Sequence, residues 1–269
     1  MGSEIAVAVL LVAGLLILLL LGLEIGWSIG IVAVVGLTWY IDQPISQVAE
    51  TAWSSLNSFT LTAMPLFIFM GTVLGNTGVN ERLFAAIDKW FGHFPGGLAI
   101  SVIAGNAIFG AMCGSAMAAT ATFGKIAFPV MEKKGYSPRL GLGAIATADI
   151  LSPLIPPSIL LIIYGSWQGI SIVDLLAAGL SPGLTMMILL MLAIIVQVKI
   201  NPSLIPPPIK FSWKERFVAI LEVLPFAAVI AGVLGAIFGG FMTPTEAAAL
   251  GAFLSLVLTF AYRRLTFDI

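Results

Sequence analysis

Long apolar segments separated by short polar ones make up most of the chain. The first, Ile5 to Leu23, has the roughly 20 residues that a helix needs to cross a bilayer, and Ile25 to Ile41 follows after Glu24. Because a helix rises about 1.5 Å per residue, one helix through both segments would be far too long for a single crossing. The pattern therefore predicts two antiparallel spans that turn between Gly22 and Gly26.

The next segments predict surface helices and further spans. Asp42 to Asn57 is more polar and predicts an interfacial helix or loop, whereas Ser58 to Thr77 predicts a third span bent at Pro65. In Asn80 to His93 the apolar residues recur every three or four positions among charged ones, which is typical of an amphipathic helix lying along a membrane surface. Later spans are predicted at Leu175–Val198, Phe217–Phe241 and Thr243–Tyr262.

Gly96 to Phe128 is too long for one span and too short for two spans and a turn. Small residues from Cys113 to Ala116 favour a chain reversal in its middle. The segment therefore predicts a re-entrant hairpin, in which two half-length helices enter and leave by the same face and meet near mid-membrane. Non-helical backbone at that depth is tolerated only inside protein or beside a watery cavity.

Leu140 to Gly169 contains Pro153, Pro156 and Pro157 near its middle. Proline lacks a backbone donor and clashes with the preceding helical turn, so these residues are incompatible with a regular helix. The segment predicts a span broken in the middle, with free backbone carbonyls at 151–155.

Composition narrows the class of protein. Of 269 residues, 59% are hydrophobic and 9% are charged, whereas soluble domains carry about 25% charged residues. This excludes a soluble enzyme, a nucleic-acid binder and a disordered protein, and it predicts an all-α polytopic protein of the lipid bilayer. Cys113 and His93 are the single cysteine and histidine, which leaves little material for metal or acid–base chemistry.

The basic residues predict the orientation. If the hairpin is re-entrant, every one of the 12 Lys and Arg residues except Lys125 falls on one side, called the basic face below. The positive-inside rule makes that face cytoplasmic and puts the N-terminus outside. If the hairpin were a full span, the bias would disappear. The residues of the basic face are Arg82, Lys89, Lys133, Lys134, Arg139, Lys199, Lys210, Lys214, Arg216, Arg263 and Arg264.

A hairpin followed by a broken span is typical of secondary transporters. Interrupted helices leave carbonyls that can replace the water around Na⁺, and helix N-termini favour an anionic substrate group. The candidate sodium and substrate site consists of Gly114, Ser115, Thr120, Ile155, Pro156, Pro157 and Ser158. Three alternatives stay open: small residues that serve only helix packing, an ion channel that uses the hairpin as a pore element, and a membrane scaffold.

Asp149 is predicted to lie near mid-membrane, where a carboxylate is a candidate functional group. It is expected either to contribute to the sodium and substrate site or to pair with Lys125. Glu246 is expected to cap a helix start rather than to bind an ion. An intramembrane hydrolase would need a base next to Ser115, and His93 is too far along the chain, so no catalytic residue and no enzyme is expected.

Six motifs in order resemble the DctM-like large membrane subunit of tripartite ATP-independent periplasmic (TRAP) transporters. They are residues 63–71 (AMPLFIFMG), 94–99 (FPGGLA), 113–116 (CGSA), 135–136 (GY), 155–158 (IPPS) and 243–248 (TPTEAA). The resemblance implies an elevator-type, Na⁺-coupled symporter with two inverted repeats in the inner membrane of a bacterium or archaeon. It also implies a periplasmic substrate-binding protein and a small four-helix membrane subunit as partners, and small carboxylates as substrates.

Two departures from the family pattern stand out. The tip often reads Gly-Ser-Ser in this family, but Ala116 follows Ser115 here, so one hydroxyl is missing. The chain also lacks most of the second repeat, which implies a truncated chain or one piece of a split subunit that does not transport alone.

The predicted organisation follows from the segments above. It comprises scaffold spans (1–79), an amphipathic surface helix (80–93), the re-entrant hairpin (94–132), the broken span (139–170), a scaffold span (174–199), a cytoplasmic loop (200–216) and the first spans of an incomplete second repeat (217–269).

Overall fold

The computed structural model describes residues 2–75, 78–114, 116–207 and 211–261. In this part of the chain the regular elements are all helical, and no strand occurs. The predicted all-α class is therefore confirmed. The chain divides into two compact units, residues 1–58 and residues 59–269.

The first unit contains two packed helices and a third, more polar one. Its elements are α1 (Gly2–Leu20), α2 (Ile25–Val35), a π-helical turn (Gly36–Tyr40) and α3 (Ile45–Leu56). The chain reverses at Gly22, whose φ of +84° is readily adopted only by glycine. Helices α1 and α2 then pack on each other, with Leu11 against Gly36, as the two predicted apolar segments require.

The second unit holds the remaining helices. They are a 3₁₀ turn (Phe59–Thr62), α4 (Ala63–Gly75), α5 (Val79–Phe91), α6 (Gly97–Cys113), α7 (Ala116–Lys133), α8 (Pro138–Ala148), α9 (Ile159–Gln168), α10 (Ile172–Ile200), α11 (Trp213–Phe238) and α12 (Pro244–Ala261). Within the described ranges, α10, α11 and α12 are each long and apolar enough to cross a membrane.

Helix α6 lies at the centre of this unit. Nearly all of its residues are buried, and it packs against α4, α5, α7, α8 and α10. A helix that is apolar on every side is stable only when other elements surround it. Its N-terminal end is also held by the loop after α7, because the Leu98 N–H donates to the Tyr136 hydroxyl at 3.4 Å.

One expectation about the N-terminal part is wrong. Pro65 does not bend a span, because it is the third residue of α4, where a proline costs no helical hydrogen bond. The scaffold role of residues 1–79 stays a prediction. These residues divide between the two units after Ser58, and α4 packs extensively against α12 in the second unit.

The predicted hairpin is present as α6 and α7, which pack against each other on either side of a reversal at Gly114. Its helices have 17 and 18 residues, or about 25 Å each, so they are longer than the half-length helices expected. The difference arises because the small residues that favour the reversal occupy a very short stretch. Re-entry of the hairpin through one face stays a prediction.

Helix α5 has the expected amphipathic character, with Leu83, Phe84 and Ile87 buried on one side. On the same helix, Asp88 accepts a hydrogen bond from Lys134 Nζ at 3.3 Å, which ties α5 to the end of the hairpin. Burial raises the pKa of Asp88 above its ordinary value of 3.8, and the nearby Lys134 only partly opposes that rise.

Replacing Lys134 with Gln is expected to destabilise the fold by about 1–2 kcal/mol near pH 7, because a mostly buried carboxylate loses its partner. The pKa of Asp88 then rises further. A raised pKa means that the folded state binds the proton more tightly than the unfolded chain, so acidification restores part of the lost stability. Thermal unfolding in detergent at pH 7.5 and pH 5.5 measures this effect. The neighbouring exposed Lys133→Gln is the control, and an equal loss in both variants at both pH values would contradict the prediction.

Candidate functional site

The hairpin reverses through a glycine in the left-handed region. Gly114 has φ +60°, and its N–H donates to the Gly110 carbonyl at 2.8 Å, which closes the last turn of α6. Other residues adopt this conformation at a cost of about 1 kcal/mol or more, so the turn depends on glycine. Ser115, which follows it, lies outside the described residues.

The predicted interruption between residues 140 and 169 is present, and its role as a broken membrane span stays a prediction. Helix α8 ends at Ala148, a 3₁₀ turn follows at Asp149–Leu151, and residues 152–158 are not helical before α9 begins. The three prolines lie in this non-helical stretch, and the Pro156–Pro157 peptide bond is cis.

The hairpin tip contacts both ends of the break. At the start of the break, Ser152 Oγ donates to the Gly110 carbonyl at 3.1 Å, and a Cβ atom on Gly110 would lie 2.7 Å from Ser152 Cβ. At its end, a Cβ atom on Gly114 would lie 2.5 Å from Ile159 Cδ1. The two interruptions predicted from sequence are therefore adjacent in space.

Glycines of α10 and α4 support this contact from behind. A Cβ atom on Gly179 would lie 2.8 Å from the Leu154 carbonyl oxygen, and one on Gly183 would lie 2.8 Å from Ile155 Cγ1. Gly71 of α4 packs in the same way against Cys113. These glycines therefore allow close helix packing, which holds the tip and the break together.

The break satisfies part of its own backbone. The Leu151 carbonyl accepts from the N–H groups of Leu154 and Ile155, and Ser158 Oγ donates to the Pro153 carbonyl at 2.7 Å. Free carbonyls were expected at 151–155. In the described part of the chain, the carbonyls that accept no hydrogen bond include those of 154–157. The carbonyls of Leu151 and Pro153 are not free, because the first accepts from backbone N–H groups and the second from Ser158.

Ser158 has a structural role in addition to its predicted one. It is the N-cap of α9, and its hydroxyl accepts from the Leu161 N–H at 3.4 Å while donating to Pro153. It is fully buried. Its role as an ion ligand stays a prediction, and its two hydrogen bonds leave one oxygen lone pair for such a ligand.

Buried polar atoms without partners occur on the elements that form the hairpin and the break. Thr120 Oγ1, Asp149 Oδ1 and both amide atoms of Asn106 are buried and form no hydrogen bond with any described residue. They belong to α7, to the turn after α8 and to α6, three elements that pack against one another. Because buried polar groups normally have partners, these atoms indicate a place for an ion, water or ligand.

Asn106 was not among the predicted site residues. It is fully buried on α6 among Ala104, Gly105 and Ala107. Its amide side chain lies in a largely apolar helix, and this could have identified it. A polar residue inside a membrane segment is a candidate functional group for the same reason as Asp149.

The pairing of Asp149 with Lys125, one of two alternatives, does not form between these described residues. Lys125 instead lines a cleft of about 330 Å³ between α4, α5, α6 and α7, together with Asn80 and Glu81.

Glu246 caps α12 as expected. Its Oε2 accepts from the Thr243 N–H at 2.8 Å, and the Glu246 N–H donates to Thr243 Oγ1 at 3.3 Å. His93 lies before α6 with its ring against Phe94, a whole helix of about 25 Å away from the tip. His93 is therefore too far from the tip to act as a base for a nucleophile there.

Comparison with known proteins identifies a family of transporter subunits. A profile of the DctM component of tripartite ATP-independent periplasmic transporters matches residues 12–268. The chain is 33% identical to the C4-dicarboxylate TRAP transporter large permease protein DctM of Vibrio cholerae, over 96% of this chain and 56% of that protein.

Two further relatives bear names for other substrates. The chain is 34% identical to the 2,3-diketo-L-gulonate TRAP transporter large permease protein YiaN of Escherichia coli, over 92% of this chain and 58% of that protein. It is 32% identical to the sialic acid TRAP transporter permease protein SiaT of Haemophilus influenzae, over 93% of this chain and 41% of that protein. The chain thus spans about half the length of the curated relatives it matches.

Replacing Gly114 with Ala tests the contact between tip and break. The left-handed backbone costs about 1 kcal/mol and the clash with Ile159 adds about 1–3 kcal/mol. Gly135→Ala is the matched control, because Gly135 has φ +84° and nothing within 4 Å of an added Cβ. Chemical unfolding in detergent should show a larger loss for Gly114→Ala, and equal losses would contradict the contact.

Proposed function

Since the chain belongs to the DctM-component family of TRAP transporters, we propose that it forms the translocating part of a Na⁺-coupled importer of small carboxylates. The hairpin (α6 and α7) and the broken span (α8 and α9) act as the moving unit of an elevator mechanism. Helix α5 braces this unit along the membrane surface.

The observation that supports the proposal most directly is the contact of Gly110 and Gly114 with the break. Transporters need non-helical backbone at the depth where the cargo crosses, and such backbone is tolerated when protein surrounds it. Here two interruptions meet in one place, between Ser152 and Ile159. A scaffold protein has no need for this arrangement.

Sodium coupling is supported by the kinds of atoms that lack partners. Carboxylate, hydroxyl, amide and backbone carbonyl oxygens are the ligands that replace the hydration shell of Na⁺ in such sites. Asp149, Thr120 and Asn106 supply three buried oxygens of this kind, and the break adds free carbonyls at 154–157. In this proposal Na⁺ binds these groups together with the tip, including Ser115.

The N-terminus of α9 suits the substrate. This helix begins directly after Pro157 and Ser158. The N–H groups of Ile159 and Leu160 donate no hydrogen bond to any described residue. Helix N-termini attract anions through these free amides and the helix dipole. The three relatives described above are named for C4-dicarboxylates, 2,3-diketo-L-gulonate and sialic acid, each of which is a carboxylate.

The assembly proposed for this chain follows its family. A periplasmic substrate-binding protein delivers the carboxylate, and a small four-helix membrane subunit supports the large one. The chain lies in the cytoplasmic (inner) membrane of a bacterium or archaeon, with the N-terminus outside and the basic face inside.

Replacing Asp149 with Asn in the assembled transporter tests the sodium proposal. Loss of the charge is expected to raise the Na⁺ concentration for half-maximal uptake about tenfold, as the loss of one charged ligand interaction implies. Uptake of a labelled carboxylate into proteoliposomes containing the binding protein and the small subunit measures this. The control is Glu132→Gln, an exposed carboxylate at the end of the hairpin. An unchanged Na⁺ dependence removes Asp149 from the site.

The same proteoliposomes separate a transporter from a channel. Saturable uptake that accumulates the carboxylate against its gradient is expected when Na⁺ is supplied outside. Uptake that only equilibrates the substrate, or that ignores the Na⁺ gradient, would support the pore-element alternative and overturn the proposal.

A further inference from the structure

An apolar groove lies between α11 and the pair formed by α5 and α6. It consists of two adjoining cavities of about 350 and 190 Å³, and no charged residue lines either of them. The residues that line both cavities are Leu83, Ile108, Val223 and Ala227. This space is called the α11 groove below.

The α11 groove is long enough for a lipid tail. From Ile220 to Leu234 it follows α11 for about 21 Å, whereas one leaflet of the hydrocarbon core is about 15 Å thick. Its rim is open, since Leu224 and Ile108 are 52% and 40% exposed.

Aromatic and basic residues gather at one end of the groove. Trp90 lines the groove there, and its Nε1–H donates to the Arg216 carbonyl at 3.3 Å. The Arg216 guanidinium lies 5.0 Å from the ring centre of Trp213, and the two tryptophan rings meet edge to face at 6.5 Å. Tryptophan and arginine in this combination are typical of the level of lipid headgroups.

Arg216 carries an unused donor at this end. Its Nε atom is buried and has no hydrogen-bond partner among the described residues. The neighbouring Glu215 is engaged in capping α11, because it accepts from the Ser212 N–H at 2.7 Å. Lys89 and Lys214 flank the two tryptophans in sequence, and together with Arg216 they outnumber the Glu215 carboxylate, so the net local charge is positive and suits a phosphate group.

The volume of the groove argues against a helix of a partner protein as the occupant. A helix about 10 Å across and as long as the groove would displace roughly 1,600 Å³, several times the space present. A single hydrocarbon chain is thin enough to enter. The α11 groove therefore fits a lipid tail with an anionic headgroup at the Arg216 end.

We propose that an anionic phospholipid binds in the α11 groove, with one acyl chain between α5, α6 and α11 and its phosphate at Arg216. This lipid fills the seam between α11 and the central hairpin helix, where Ile108 and Met112 form part of the wall. The binding site is separate from the tip and break, and it does not depend on the proposed transport function.

Native mass spectrometry of the purified chain tests the headgroup part. Phosphatidylglycerol is expected to bind about tenfold more tightly than phosphatidylcholine with the same acyl chains, because its headgroup is anionic, whereas the choline cation of phosphatidylcholine offsets the phosphate charge and is repelled by the basic residues. Arg216→Gln should reduce this preference to within about twofold, whereas Arg139→Gln, an exposed arginine on the same basic face, should retain it. A preference that survives Arg216→Gln, or that both variants lose equally, overturns the site.

A second pair of variants tests the acyl chain. Ala227 lines both cavities, so Ala227→Phe fills the groove and should lower the retention of both lipids. Ala228→Phe makes the same change one residue along α11, outside the lining, and should leave retention unchanged. Soluble glycerol 3-phosphate should not displace the bound lipid. Unchanged retention in Ala227→Phe, or displacement by glycerol 3-phosphate, contradicts an acyl chain in the groove. Helical circular dichroism and elution volume confirm that each variant is folded.

Discussion

The close approach of the hairpin tip to the broken span is the constraint on which the rest of the structure depends. Gly110 and Gly114 leave no space for a side chain, and Ser152 and Ile159 occupy the space instead. Helix α6, which ends at this contact, is buried along nearly its whole length because it packs against α4, α5, α7, α8 and α10. The glycines of α10 and α4 then hold the outer sides of the same contact.

This contact places polar atoms where ordinary packing would exclude them. Asp149, Thr120 and Asn106 come from three elements that pack against one another, and each keeps a buried oxygen without a partner. Leaving such groups unpaired costs about 1–3 kcal/mol each, which is tolerated at functional sites. In the proposed function, Na⁺ binds these oxygens and gives them the partner that the protein does not supply.

The elements were largely predictable from sequence, but their contacts were not. The helices could be predicted because the spacing of apolar residues is a local pattern. The break could be predicted because the proline cluster at 153–157 is incompatible with a helix. The partners of Ser158 and the failure of Lys125 and Asp149 to pair depend on how distant helices pack, which no local pattern encodes. Asn106 was missed because its importance comes from burial without a partner.

The central claim is that the two interruptions form one site, and a double-mutant cycle between Gly110→Ala and Ser152→Gly tests it most directly. The added methyl group of the first variant clashes with Ser152, and the second variant removes the two nearest atoms, Cβ at 2.7 Å and Oγ at 2.8 Å, while Cα stays at 3.1 Å. Unfolding free energies in detergent should show a favourable coupling of at least about 1 kcal/mol. Effects that add to within about 0.5 kcal/mol would contradict the contact between the tip and the break.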